Sequence, residues 1–149
     1  MATINSKNVH RTNMLLGHPW GTDFRYDEMF LTGVGEQGEA LAKYIAATPM
    51  TGHANDPKPG EGPGAEERLN GRYDVLFIGE WPDGRALRYA VKGRYDPGYG
   101  STSRMIAEAG MALLGSMAPG RVATPGAILG EGLVGRLRDH AEITFGVED

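Results

Sequence analysis

The segment Tyr95-Asp96-Pro97-Gly98-Tyr99-Gly100-Ser101-Thr102-Ser103 gathers the densest polar chemistry in the chain, with Lys92 and Arg94 just upstream. Pro97 fixes one backbone angle, while Gly98 and Gly100 admit close approach of another backbone or of a ligand. Three hydroxyls then lead into an apolar helical pattern running from about Ser101 to Leu114. Ser and Thr at a helix start accept hydrogen bonds from the free N–H groups of the first turn. The remaining N–H groups and the positive end of the helix dipole would face the turn, which suits a phosphate or carboxylate. In that setting Arg94 could hold a carboxylate, and Tyr99 could donate a proton or bind a carbonyl. The candidate substrate-binding residues are therefore Arg94, Asp96, Gly98, Tyr99, Gly100, Ser101, Thr102 and Ser103. A helix start that caps itself and binds nothing explains the same residues, and both readings stand at this point. No nucleophile is placed beside a base, so no catalytic residue is assigned.

A second pattern, Gly33-Val34-Gly35-Glu36-Gln37-Gly38, spells the G-x-G-x-x-G of dinucleotide sites. Its context does not fit. The motif belongs to a βαβ unit, whereas here a Pro/Gly-rich stretch from Thr48 to Gly64 follows the helix expected over Glu36 to Ala47. No cofactor residue is assigned to this chain. His10, His18, His53 and His140 share no metal-binding spacing, and no metal site is expected. There is no G-x-S-x-G elbow and no Walker A loop.

The absence of cysteine removes disulfides, thiolate metal sites and a thiol nucleophile. A formal net charge of −4, with dispersed basic residues, gives no electrostatic footprint for nucleic acid or an anionic membrane. No apolar run reaches the roughly 20 residues that span a bilayer, and the polar start lacks the core of a secretory signal. A cytoplasmic location is the default expectation. With 149 residues, one domain with a real core is expected, or one core plus a floppy segment. The 23 glycines are about twice the usual share.

The elements that must position the turn can be read from periodicity. Met1 to Gly21 has no clear period, and His18-Pro19-Trp20-Gly21 marks a turn. Phe24 to Thr32 reads as a strand, with Glu28 either paired, by Arg25 or a ligand, or lying at an exposed edge. Ala65 to Asn70 suits a short helical turn. Arg72 to Gly79 and Arg85 to Lys92 read as strands joined by the turn Trp81-Pro82-Asp83-Gly84, which predicts an antiparallel hairpin. The first carries apolar side chains on both faces, which suggests a central strand. In the following helix, Met105, Ile106, Ala109, Met111, Leu113 and Leu114 predict little solvated surface. Thr124-Pro125 starts a second long helix, where Gly126 and Gly130 would let it press against a neighbouring backbone. Ile143, Phe145 and Val147 alternate in a closing strand. These elements predict a single α+β domain over 1–149. Its mostly antiparallel sheet has about four or more strands, with two to three helices on one face.

The order of these pieces resembles the C-terminal domain of the saccharopine dehydrogenase-like oxidoreductases, the group with the bacterial trans-acting enoyl reductase relatives. The pieces are Tyr26-Asp27-Glu28-Met29, the turn into Gly38-Glu39-Ala40, Lys58-Pro59-Gly60-Glu61-Gly62-Pro63 and Asp74-Val75-Leu76-Phe77-Ile78-Gly79-Glu80. Asp96-Pro97-Gly98-Tyr99-Gly100-Ser101-Thr102 is the most specific of them. Met105-Ile106-Ala107-Glu108, Thr124-Pro125-Gly126 and Ile143-Thr144-Phe145 complete the order. The resemblance implies a substrate-binding and dimerisation domain that is inactive without its nucleotide-binding half. It further implies NAD(P) bound in that missing Rossmann domain, a small-molecule substrate, and a homodimer or the missing domain as partner. An independent module binding a small anion or carboxylate at the 95–103 turn is the alternative.

Overall fold

A computed structural model describes residues 2–48, 58, 60–117 and 119–148. The chain divides into two compact units, Met1–Gly62 and Pro63–Asp149. Together the described residues form five helices and a three-stranded antiparallel sheet, an α+β fold.

The first unit is helical. Helix α1 (Ala2–Leu15) occupies the stretch in which no period was legible. Its end is fixed by a side chain: buried Asn13 donates to the Gly21 carbonyl at 2.8 Å and accepts from the Trp20 amide at 3.1 Å. The expected turn at 18–21 is closed by the Gly21 amide on the His18 carbonyl at 3.0 Å. Phe24 to Thr32, expected as a strand, is irregular. A strand needs a ladder partner, and none pairs with this stretch among the described residues. Glu28 finds neither Arg25 nor an edge. It accepts from the Tyr26 hydroxyl at 2.8 Å, and burial together with this carboxylate pushes the Tyr26 phenol up to about 12. Helix α2 (Gly35–Ala47) follows as expected. Of the Pro/Gly-rich loop at 48–64, residues 49–57 and 59 lie outside the described residues.

In the second unit, helix α3 (Ala65–Asn70) leads into strand β1 (Arg72–Glu80), the turn, and strand β2 (Ala86–Arg94). Helix α4 (Gly100–Leu114), helix α5 (Pro125–His140) and strand β3 (Ile143–Val147) complete it. The sheet order is β1-β2-β3, all antiparallel. Three strands form rather than four, because 24–32 contributes none. Strand β1 is an edge and not the centre, since β3 returns beside β2.

The register stacks Tyr73, Gly93 and Ile143 on one sheet face, then Val75, Val91 and Phe145, then Phe77, Tyr89 and Val147. Helices α4 and α5 meet this face. Leu137, Ala141 and Ile143 form the buried centre, joined by Val91, Met105, Leu133 and Phe145. Helix α4 is less covered than its sequence suggested, for Ile106 is 71 % and Leu114 83 % exposed. Gly130 does not press on a neighbour. It takes φ 51°, ψ −135° and kinks α5, with open space where its Cβ would be. Ile143 has no exposed surface, so Ile143→Ala should cost about 3 kcal/mol of unfolding free energy in a denaturant titration.

Candidate functional site

The turn between β2 and α4 is built by one carboxylate. Asp96 Oδ1 accepts from the Gly98 amide at 2.9 Å, and Oδ2 accepts from the amides of Tyr99 at 3.0 Å and Gly100 at 2.5 Å. These amides, the Gly100 one foremost, hold the Asp96 carboxyl below its ordinary value, and the nearby Arg68 charge adds to them. The Asp96 amide itself donates to the Arg68 carbonyl at 3.0 Å, and the Ser101 amide donates to the Asp96 carbonyl at 2.8 Å. Asp96 thereby ties the end of α3 to the start of α4. The N–H groups expected to cradle an external anion are taken by an internal one.

The hydroxyls do not cap the helix as expected. The residue before α4 is Tyr99, and no side chain of its own caps there. Ser101 is fully buried, with its Oγ 2.9 Å from the Tyr73 hydroxyl of β1. Thr102 Oγ1 donates to the Pro97 carbonyl at 2.6 Å, and Ser103 Oγ to the Gly100 carbonyl at 3.2 Å. Gly100 has no room for a side chain: a Cβ would stand 2.8 Å from the Arg68 carbonyl oxygen and 2.9 Å from Tyr95 Cβ. Tyr99 remains over half exposed and is the one aromatic candidate that faces solvent.

Arg94 reaches a residue the sequence reading missed. Its Nη1 donates to Glu142 Oε2 at 2.9 Å, and the Tyr95 hydroxyl donates to Glu142 Oε1. Arg104 lies over the Tyr95 ring, 3.6 Å from its centroid, and donates to the Gly100 carbonyl at 2.6 Å. The Tyr95 hydroxyl and then the Arg94 and Arg104 charges hold the Glu142 carboxyl below its usual range. Tyr95 (φ 73°) and Glu142 (φ 54°) both adopt left-handed backbone, which non-glycine residues take up only at a steric cost. No sequence pattern marks Glu142, since its partners sit 47 and 48 residues away. Lys92 pairs with Asp74 at 3.2 Å and with Glu148. All eight candidate positions thus lie in one segment, but their polar groups mostly close on one another.

An apolar cleft of about 380 Å³ opens between α4 and α5, lined by Met111, Ala112, Ile128, Leu129 and Leu133. Arg136 is its cation, held by Glu108 at 2.6 Å. The glycine motif at 33–38 runs from an irregular stretch into the first turn of α2. No strand precedes it among the described residues, and the space beside Gly38 is filled by the carbonyl of Gly33 in its own turn. Among the described residues no three His, Asp or Glu side chains gather as metal ligands, and His53 lies outside them. No described helix is long and apolar enough to cross a membrane.

The geometry defines an α+β chain whose central turn is locked from within. The proteins it is similar to carry oxidoreductase names. A Mycobacterium tuberculosis protein provisionally named a trans-acting enoyl reductase is 32 % identical over 160 residues, covering 92 % of this chain and 38 % of that protein. The trans-acting enoyl reductase of Mycobacterium bovis is 29 % identical over 156 residues, covering 91 % and 37 %. This chain spans about two fifths of the length of these relatives. No family profile matches the chain, and neither does any solved structure.

Proposed function

We propose that this chain is the substrate-binding and dimerisation part of an NAD(P)-dependent oxidoreductase of the saccharopine dehydrogenase-like kind, without hydride-transfer activity of its own. The observation that carries the reading is the similarity, along nine tenths of the chain, to about two fifths of each relative named an enoyl reductase. The failed glycine motif agrees with it: the nicotinamide cofactor would belong to the remainder of such a protein. The reaction class would be addition of hydride to the β-carbon of an α,β-unsaturated acyl group, with a proton to the α-carbon. The α4–α5 cleft offers mostly apolar walls, with its one guanidinium, Arg136, already paired with Glu108, a composition suited to an apolar acyl chain. Tyr99, more than half exposed at the turn, is the candidate proton donor toward a substrate group that reaches the start of α4.

The alternative, an anion-binding module at the 95–103 turn, loses its donors to Asp96 and is not favoured. The purified chain should show no oxidation of NADH or NADPH with a trans-2-enoyl thioester. The polarisation of NADPH fluorescence should not rise on adding protein. Steady turnover by the chain alone would overturn the proposal.

A further inference from the structure

Strand β1 is an edge of unusual character. It is nine residues long and flat in register with β2 from end to end. Its centre is Val75-Leu76-Phe77-Ile78, with Val75, Phe77 and Ile78 each more than two fifths exposed. Edges of this kind are normally blunted by a lysine, a proline or a bulge, because unpaired N–H and C=O groups recruit another strand. The centre of β1 carries none of these devices. Asp74 is paired with Lys92 of β2 at 3.2 Å, and the two other charges stand at the ends: Arg72 begins the strand and Glu80 closes it. Both are exposed, and neither has an ion-pair partner among the described residues.

We infer that β1 pairs antiparallel with β1 of a second copy of this chain, centred on Leu76, to give a continuous six-stranded sheet. The register follows from the sequence of the strand itself. Centring on Leu76 places Arg72 opposite Glu80 of the second copy at both ends. Between them, Tyr73 faces Gly79, Val75 faces Phe77, and Asp74, held in its ion pair with Lys92, stands opposite Ile78. Opposite charges and an aromatic residue against a β-branched one are favourable cross-strand pairs. A two-fold pairing repeats each contact twice, which is the isologous arrangement. A shift by two residues in either direction separates both charge pairs. Main-chain bonds along the edge would supply the attraction, and the end charges would fix the register. The inference rests on the dimerisation part of the proposed function and names its surface.

The cysteine-free chain makes the test direct. In an antiparallel pair, directly opposed Cα atoms are about 4.5–5.5 Å apart, within disulfide reach. Leu76→Cys should therefore form a covalent dimer under mild oxidation. Ile78→Cys should not, because the two copies of residue 78 would stand roughly 13 Å apart. Light scattering over a concentration series supplies the second arm. Arg72→Glu and Glu80→Arg should each weaken the dimer roughly tenfold, and the two together should restore it. Circular dichroism checks that each variant is folded. Selective cross-linking with charge-swap rescue supports the pairing. A dimer indifferent to both swaps, with no cross-link at 76, overturns this surface and leaves dimerisation standing. A monomer at high concentration overturns both.

Discussion

Gly100→Val should lower the melting temperature of the second unit by on the order of 10 °C in a circular dichroism melt. The reason is space and not backbone freedom, because Gly100 starts an ordinary helix. A side chain there would meet the Arg68 carbonyl and Tyr95 Cβ under 3 Å, and both are anchored. Arg68 O already accepts the Asp96 amide, and Tyr95 is held by Glu142. Neither can retreat without dismantling the turn that joins α3, β2 and α4. Overpacking of a fixed site costs about 1–3 kcal/mol per substitution, and each kcal/mol moves the melting point of a small domain by about 4–8 °C. Gly110, one helix face away, is the control. A Cβ there meets nothing, so Gly110→Ala should raise the melting point by a few degrees through helix propensity. Equal effects at the two positions would show that the crowding at Gly100 is not what holds the turn.

Asp96→Asn should destabilise the chain strongly near neutral pH and hardly at all in acid. The three amides lower the folded-state affinity of Asp96 for a proton, while an unfolded Asp titrates near 3.8. A depressed carboxyl adds stability above the unfolded value, and that stability fades as pH falls through the folded value. The difference in melting temperature between parent and Asp96→Asn should therefore be largest above about pH 5 and shrink below about pH 4. Glu142 is depressed as well and fades over acidic pH too, so only the difference between the two proteins isolates Asp96. The amide cannot replace the carboxylate: one of its two ends is a donor and would face donors. A difference independent of pH would mean that the charge on Asp96 plays no part.

These two residues show where the sequence was readable. The hairpin was legible because Trp81-Pro82-Asp83-Gly84 is local turn chemistry between two apolar runs. Helices α2, α4 and α5 were legible from their spacing, and β3 from its alternation. Helix α1 was not: Ile4, Val9 and Leu15 are too sparse for a stripe, and its closure depends on Asn13 reaching Trp20 and Gly21. The false strand at 24–32 had the right residues and lacked a partner, so Met29, Phe30 and Leu31 stand at least 77 % exposed. Whether β1 is central or at an edge depends on where β3 docks, which no local pattern records. At the turn, three amides at the start of α4 donate to the Asp96 carboxylate, a partner from within the turn itself. Asp96 was counted with the binding residues, and it is the group that fills the seat. Glu142 stayed hidden because its role comes from left-handed backbone and from partners on a distant strand.

The sheet is assembled from pieces of very different sequence separation. Strands β1 and β2 close over a short turn, and hairpins of that kind form in about 1–10 μs. Strand β3 reaches β2 only across α4 and α5, and the Arg94–Glu142 bond that extends this junction spans 48 residues. Closing so long a loop loses chain entropy before any contact compensates it, which raises contact order and slows folding. The second unit therefore has a local half and a non-local half in one three-stranded sheet. Its folding rate should follow the docking of five C-terminal residues more closely than the strength of the hairpin.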